Sequence, residues 1–315
     1  MKESINRTFN HFKIHTQYSI CEGAVKIDKL KDYCKKHKIK SLGLSDTYNL
    51  SGALEFSENL SSIGTQPIIG TQILFKYKSH FGLIPLIAKN NQGYKNLIKL
   101  SSKSYLENPE STDPHCDLND LVNNSEGIIV LTGSIKCMIG SLFNIGLLKE
   151  IEEILFMLKE TFNNNIYIEI QRHNDLNEKD FENYNLNISK KLQLPIIASN
   201  EVYYLDKEMF DAHDALMCIG EKTYVNDKNR VKLSNQHYFK SSEEMTELFK
   251  DLPEALENNY NLPFRCSFKP NSSKPILPNI SSSDKDANEI LIHESNEGLK
   301  HKFKLLFDLE INDYE

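Results

Sequence analysis

Imidazoles, carboxylates, a lysine and small hydroxyls recur in this chain where short apolar runs end. His11, Lys13 and His15 alternate along the first run, the period that puts strand residues on one face. Asp46 follows the second run, Gln72 sits in the third and Ser134 follows the fifth. Glu169, Gln171 and His173 alternate at the end of the sixth, and Glu201 and Tyr203 follow the seventh. Imidazole nitrogens and carboxylate oxygens bind Zn or Mn, and clustered ions of that kind activate water and clamp a phosphate. One polar residue at a strand end ordinarily caps a loop or a helix, so the weight lies in their coincidence on successive strands. P-loop, HExxH, GxSxG and EF-hand patterns are absent from the sequence.

The runs that must position these residues read as strands over 12–15, 41–44, 67–75, 83–88, 127–131, 166–170 and 195–198. Between them Ile27, Leu30 and Cys34 recur at helical spacing, Leu54, Leu60 and Ile63 more loosely, and Leu147, Ile151, Ile154, Leu155 and Leu158 form a clean stripe. Repeated β-then-α order implies parallel strands covered by helices. Seven strands without a GxGxxG turn favour a barrel over an open doubly wound sheet. In a β/α barrel the C-terminal strand ends gather at one mouth, where sites are built.

After about residue 205 the strands stop. Ser241 and Glu244 form a capping box that opens a helix through Met245, Leu248 and Phe249, and a turn at Leu252-Pro253 leads to a second short helix. Pro263, Pro270, Pro275 and Pro278, with the serines at 272–273 and 281–283, read as a linker over 263–284. Residues 285–315 read as one or two helices too short to bury a core, the expected start of a following domain.

With 39% hydrophobic and 26% charged residues among 315, the composition is that of an ordinary soluble globular protein. No run approaches 18 consecutive apolar residues, and the first residues carry no apolar signal region. The net charge of −7 means that any contact with nucleic acid is made by a local patch or as part of something larger. Cys21, Cys34, Cys116, Cys137, Cys218 and Cys266 make no CxxC, so neither a zinc knuckle nor a disulfide framework is expected, and a reducing cytoplasm is the default.

Several segments carry a specific likeness. The opening His11-Phe12-Lys13-Ile14-His15-Thr16-Gln17-Tyr18-Ser19, followed by Glu22-Gly23-Ala24, resembles the first motif of the polymerase and histidinol phosphatase (PHP) domain, and more narrowly the N-terminal PHP domain of bacterial DNA polymerase III alpha subunits. Residues 44–56, 67–70, 86–94, 169–173, 198–205, 211–214 and 238–256 agree in order and spacing, so the likeness covers roughly 9–280. It implies an α/β fold, a PHP-type (β/α)7 barrel with a C-terminal helical appendage: a PHP domain over 1–262, with a barrel core at about 9–205 and a helical extension over 206–262.

In active members the resemblance implies up to three metal ions at the barrel mouth, held at nine positions. Here those positions fall on Lys13, His15, Glu22, Thr47, Gln72, Leu83, Ser134, Glu201 and Tyr203. Only His15, Glu22 and Glu201 keep ligand chemistry. Although His80 lies three residues from Leu83, the match over 84–90 fixes the register. The Lys13 ammonium would repel a cation where an imidazole should stand, and Glu201 is available to pair with it. His11 is expected to be a packed barrel histidine, while His173 and His213 are expected to serve in structural hydrogen bonding; His11, Asp46, Glu169 and His173 are the other polar residues of the mouth.

The resemblance therefore implies a metal-free, non-catalytic PHP domain, with no catalytic residue and no cofactor in this stretch; Mg would serve the full-length polymerase. Its expected work is to stabilise the polymerase and dock the proofreading exonuclease subunit among the other holoenzyme subunits, with DNA bound through the full-length protein and no membrane involved. The alternative is a metal-dependent phosphoesterase or 3′-5′ exonuclease, and a blander one is a barrel that binds a small ligand through Lys13 and Asp46. The ligand count and the polymerase-like stretch 238–256 favour the first.

Overall fold

The computed structural model describes residues 7–108, 112–275 and 286–307. It divides into two units, residues 1–271 and 272–315. In the second unit the described residues form one helix, α11 (Ala287–Phe307). Of the linker read over 263–284, residues 276–284 lie outside the described residues. Its beginning is structured: Leu262–Arg265 is a 3-10 turn with Leu262 and Pro263 buried. Proline at the start of a helical turn is favoured because its fixed φ suits the turn and its missing N–H is not needed there.

In the first unit a curled sheet is built from β1 (Lys13–Ile14), β2 (Ser41–Thr47), β3 (Gln66–Tyr77), β4 (His80–Ala88), β5 (His115–Asp117), β6 (Ile128–Leu131), β7 (Ile166–Ile170), β8 (Ile196–Ala198) and β9 (Glu201–Val202). The spatial order is β8-β7-β6-β4-β3-β2-β1-β9, with β5 added beside β3. The two ends of this path are separated in sequence only by Ser199 and Asn200. The same stretch of chain thus pairs with β7 through Ile196–Ala198 and with β1 through Glu201–Val202. That bend curls the sheet on itself and sets Lys13 directly opposite Glu201.

Two features depart from the expected alternation. The third and fourth strands follow one another through a tight turn and pair antiparallel, Gln72 opposite Pro85, and β4 is antiparallel to β6 as well. The helical rhythm is broken because Lys78 takes a positive φ of 55° and reverses the chain within two residues. The short strands β5 and β9 were not marked by any apolar run: β5 is His-Cys-Asp and β9 is Glu-Val.

The helices α1 (Ile27–His37), α2 (Ala53–Ser61), α3 (Asn91–Leu106), α4 (Leu118–Asn123), α5 (Met138–Asn144), α6 (Leu148–Phe162) and α7 (Glu178–Leu192) cover the outer surface. The stripes Ile27, Leu30, Cys34 and Ile151, Ile154, Leu155, Leu158 are buried as their spacing requires. Helix α2 differs: it buries Ala53, Phe56 and Leu60 and leaves Leu54 exposed. Beyond the sheet come α8 (Phe210–Gly220), α9 (Ser242–Leu248) and α10 (Pro253–Asn261), and α9 starts in the capping box of Ser241 and Glu244.

The inner face of the sheet changes character along its strands. Phe12, Ile68, Ile87, Ile129, Leu131, Tyr167 and Ile197 form one apolar cluster, joined by Leu262 and Cys266. Two residues further along Tyr167's face of β7 is Glu169, and four along Ile68's face of β3 is Gln72, both buried. An apolar floor therefore gives way to a polar mouth at the C-terminal strand ends. Close approach of β1 to β2 depends on Gly43, whose N–H donates to the His11 carbonyl at 2.7 Å. A Cβ there would stand 2.5 Å from Phe12 Cα.

Candidate functional site

Lys13 enters the mouth from β1 almost completely buried, 1% exposed. Its Nζ lies 3.0 Å from Glu201 Oε1 and 3.5 Å from Glu169 Oε1. Burial alone would strip the proton from an amine, but the fields of Glu169 and Glu201 outweigh it and hold Lys13 above the ordinary lysine range. Glu201 is the reciprocal case: burial pushes its pKa up, but Lys13 and the hydrogen bonds from His15 and Gln72 leave it well below the ordinary value. One oxygen of Glu201 thus collects three partners, Lys13, His15 Nε2 at 3.1 Å and Gln72 Nε2 at 2.6 Å. Glu169 is held from its other side, where Oε2 accepts from the Gly133 amide at 3.1 Å and Oε1 from Gln171 Nε2.

His15 stacks on Tyr203, with ring centroids 4.3 Å apart and planes 18° from parallel. Its Nδ1 faces Ser19 Oγ at 3.3 Å, Thr47 Oγ1 at 3.4 Å and Glu22 Oε2 at 3.8 Å. Thr47 in turn donates to Glu22. Glu22 can come this close because Gly23 packs against the Thr16 carbonyl, where a Cβ would lie 2.1 Å from the oxygen. Burial raises the Tyr203 phenol well above its usual range, so it is a neutral lid on His15.

The mouth thus unites Lys13, His15, Glu22, Thr47, Gln72, Glu169, Glu201 and Tyr203. Ser134 lies beside it, 3.5 Å from Cys137 Sγ, and Leu83 stands on β4 two residues before Pro85, the partner of Gln72. Three expected members, Asp46, His11 and His173, are elsewhere. Instead of joining the mouth, Asp46 ties the chain after β1 to β2, accepting from Thr16 N at 2.7 Å, Thr16 Oγ1 at 2.8 Å and Ser19 Oγ at 2.7 Å. Burial raises its pKa, and those bonds offset it only in part. His11 does not share the face of Lys13 and His15. It packs between Phe9 and Phe239 and hydrogen-bonds the Lys240 carbonyl at 2.9 Å, and burial lowers its pKa to about 3. Strand alternation misplaced it because β1 is regular only over Lys13–Ile14.

Cys137 was not among the expected residues. It caps the start of α5, its Sγ lies 3.9 Å from Gln72 Oε1, and burial pushes its thiol up to about 11. Its only signal is its place three residues after Ser134. A second group lies behind Glu201, where His173 and His237 stack at 4.1 Å and, with Asp175, offer three metal-ligand atoms within 4.8 Å of one another. His173 was read as a hydrogen-bonding residue, and its Nε2 does lie 3.0 Å from Asn200 Oδ1. His213 supports the Glu22 carbonyl at 2.7 Å.

Of the nine positions at which metal ligands are expected in active members, three offer donors. Those three are already engaged: His15 with Glu201, Glu201 with an ammonium, and Glu22 with Thr47. The residues present therefore do not fit a trinuclear centre, and the charge the carboxylates require is supplied by the chain itself. In chemical terms the arrangement is a buried ion cluster in which one ammonium faces two carboxylates.

Comparison with known proteins agrees with this geometry's origin. The chain is 34% identical over 313 residues to the DNA polymerase III subunit alpha of Caulobacter vibrioides, covering 96% of this chain and 27% of that protein. The corresponding subunits of Rickettsia prowazekii and Borreliella burgdorferi are 37% and 36% identical, again over 96% of this chain and 26% and 28% of theirs. The chain spans about a quarter of the length of these curated relatives. A solved amidohydrolase from Chromobacterium violaceum aligns over 62% of this chain and 87% of that one with a TM-score of 0.41 and 11% identity, too loose a likeness to bear on function. The model of the PHP domain matches residues 11–173, just over half of the sequence and the part that carries Lys13, His15, Gln72 and Glu169. The chain belongs to the PHP domain family.

Proposed function

We propose that this chain is the PHP domain of a replicative DNA polymerase III alpha subunit whose barrel mouth is closed by an internal ammonium in place of metal ions. The observation that carries the reading is Lys13 Nζ at 3.0 Å from Glu201 and 3.5 Å from Glu169, buried with both carboxylates. A divalent ion there would meet a fixed positive charge in low dielectric, where repulsion is strongest. The domain's work is then mechanical: it stabilises the polymerase and offers its outer surface to a separate proofreading exonuclease, within the cytoplasmic holoenzyme. Nucleotide addition, with its Mg, belongs to the rest of the full-length protein.

Elemental analysis of the purified chain, incubated with Zn or Mn and exchanged into metal-free buffer, tests this together with a 3′-exonuclease assay. The expected result is no turnover and no metal whose retention depends on His15. Two or more equivalents per chain, with turnover abolished by His15→Ala, would establish a metal-dependent phosphoesterase instead.

A further inference from the structure

His173, Asp175 and His237 meet from the segment after β7 and from the chain before α9. His173 and His237 are 1% and 2% exposed, and the Asp175 side chain 9%. The neighbours of the two imidazoles show which ring nitrogens are engaged. His173 Nε2 lies 3.0 Å from Asn200 Oδ1 and accepts from the Glu201 amide at 3.3 Å. Asn200 is oriented independently, because its Nδ2 donates to the Tyr238 carbonyl at 3.0 Å and its Oδ1 accepts from Lys240 Nζ at 3.2 Å. His173 Nε2 is therefore engaged from two sides, which leaves Nδ1 as the nitrogen of that ring without a hydrogen bond. His237 Nδ1 lies 3.2 Å from the Glu201 carbonyl, which can only accept, so the lone pair of that ring is on Nε2.

Two ring nitrogens, His173 Nδ1 and His237 Nε2, are buried without a hydrogen-bond partner. His237 Nε2 nevertheless faces Asp175 Oδ2 at 3.7 Å. His173 Nδ1 lies 3.7 Å from Glu178 Oε1, whose carboxylate is already held by the His173 and Asn174 amides. Two buried ring nitrogens without hydrogen bonds, each 3.7 Å from a carboxylate oxygen, leave room for a cation between them.

We propose that His173 Nδ1, His237 Nε2 and Asp175 Oδ2 form a mononuclear site for a zinc-class divalent ion, with water as the fourth ligand. Two imidazoles and one carboxylate favour zinc and its neighbours over Mg or Ca, which prefer all-oxygen shells. The other nitrogen of each ring is already tied to a carbonyl oxygen, the arrangement that fixes a ligating histidine's tautomer and raises its basicity. Binding requires two local movements. The rings stack within 11° of parallel, and tetrahedral donors stand about 3.3 Å apart, so one ring must tilt from the stack. Lys136, paired to Asp175 at 2.9 Å, must turn its half-exposed ammonium outward. None of the three is among the nine mouth positions, although the Glu201 backbone touches both rings while its side chain faces Lys13.

The test loads the purified chain with Zn(II), removes free metal by exchange and measures retained zinc, with Co(II) absorption as a probe of coordination. One equivalent and tetrahedral cobalt bands are expected for the wild type and for His15→Ala, and neither for His237→Gln or Asp175→Asn. Zinc should also raise the melting temperature of the wild type but not of His237→Gln, whose circular dichroism checks that it folds. No retained zinc in the wild type, or equal retention by His237→Gln and Asp175→Asn, would overturn the site and leave the reading of the mouth intact. So would a His237 that is doubly protonated near neutral pH by 15N NMR without zinc, because the cation would then be a proton. Zinc that follows His15 rather than His237 would overturn both.

Discussion

Lys13 holds a place in the mouth that only a buried cation can fill, and its removal leaves Glu169 and Glu201 facing a space without compensation. Lys13→Met should therefore cost about 3–5 kcal/mol in denaturant unfolding, the range for breaking a buried pair on one side. Adding Glu201→Gln to that variant should recover part of the loss, since two opposed charges are then gone. Glu201 also sets an acid limb. Its folded pKa is depressed, so its contribution is whole above the ordinary glutamate value of about 4.3 and is withdrawn as pH falls through the lower folded value. A stability-against-pH series should accordingly fall less steeply on the acid side for Glu201→Gln than for the wild type. At this scale much was legible. The exchange of an imidazole for Lys13, and Glu201 as its counter-ion, follow from the resemblance, which puts both at ligand positions, whereas the second counter-ion Glu169 occupies none of the nine and was read only as a polar residue of the mouth. The pairing of His173 with His237 was illegible because it is made by the fold across 64 positions of the chain, with no motif that marks His237.

At the scale of elements, the mouth exists because β1 lies tightly against β2 and its far side is taken by β9. Gly43 permits the first contact. Gly43→Ala should destabilise the fold by about 3 kcal/mol, because its Cβ would meet the Phe12 backbone and not a side chain that can turn away; thermal or denaturant melts measure it, and a loss below about 0.5 kcal/mol would show that β1 can shift. Each of the seven apolar runs became a strand, and α9 began at the capping box read from Ser241 and Glu244, because hydrophobic period and capping chemistry are local signals. The antiparallel turn at Lys78 and the strands His115–Asp117 and Glu201–Val202 were missed. Their pairing is dictated by partners far along the chain, and two or three residues hold no period to read.

For the whole first unit, an apolar floor gives way to a mouth whose carboxylates face an internal ammonium. This is the arrangement on which the proposed function rests. The most direct measurement is an anomalous difference map from crystals soaked in Mn(II), recorded at the manganese edge. The account predicts no peak within coordinating distance of His15, Glu22 or Glu201, with Lys13 Nζ still between Glu169 and Glu201. Peaks bridging those ligands, with the Lys13 side chain displaced, would contradict it.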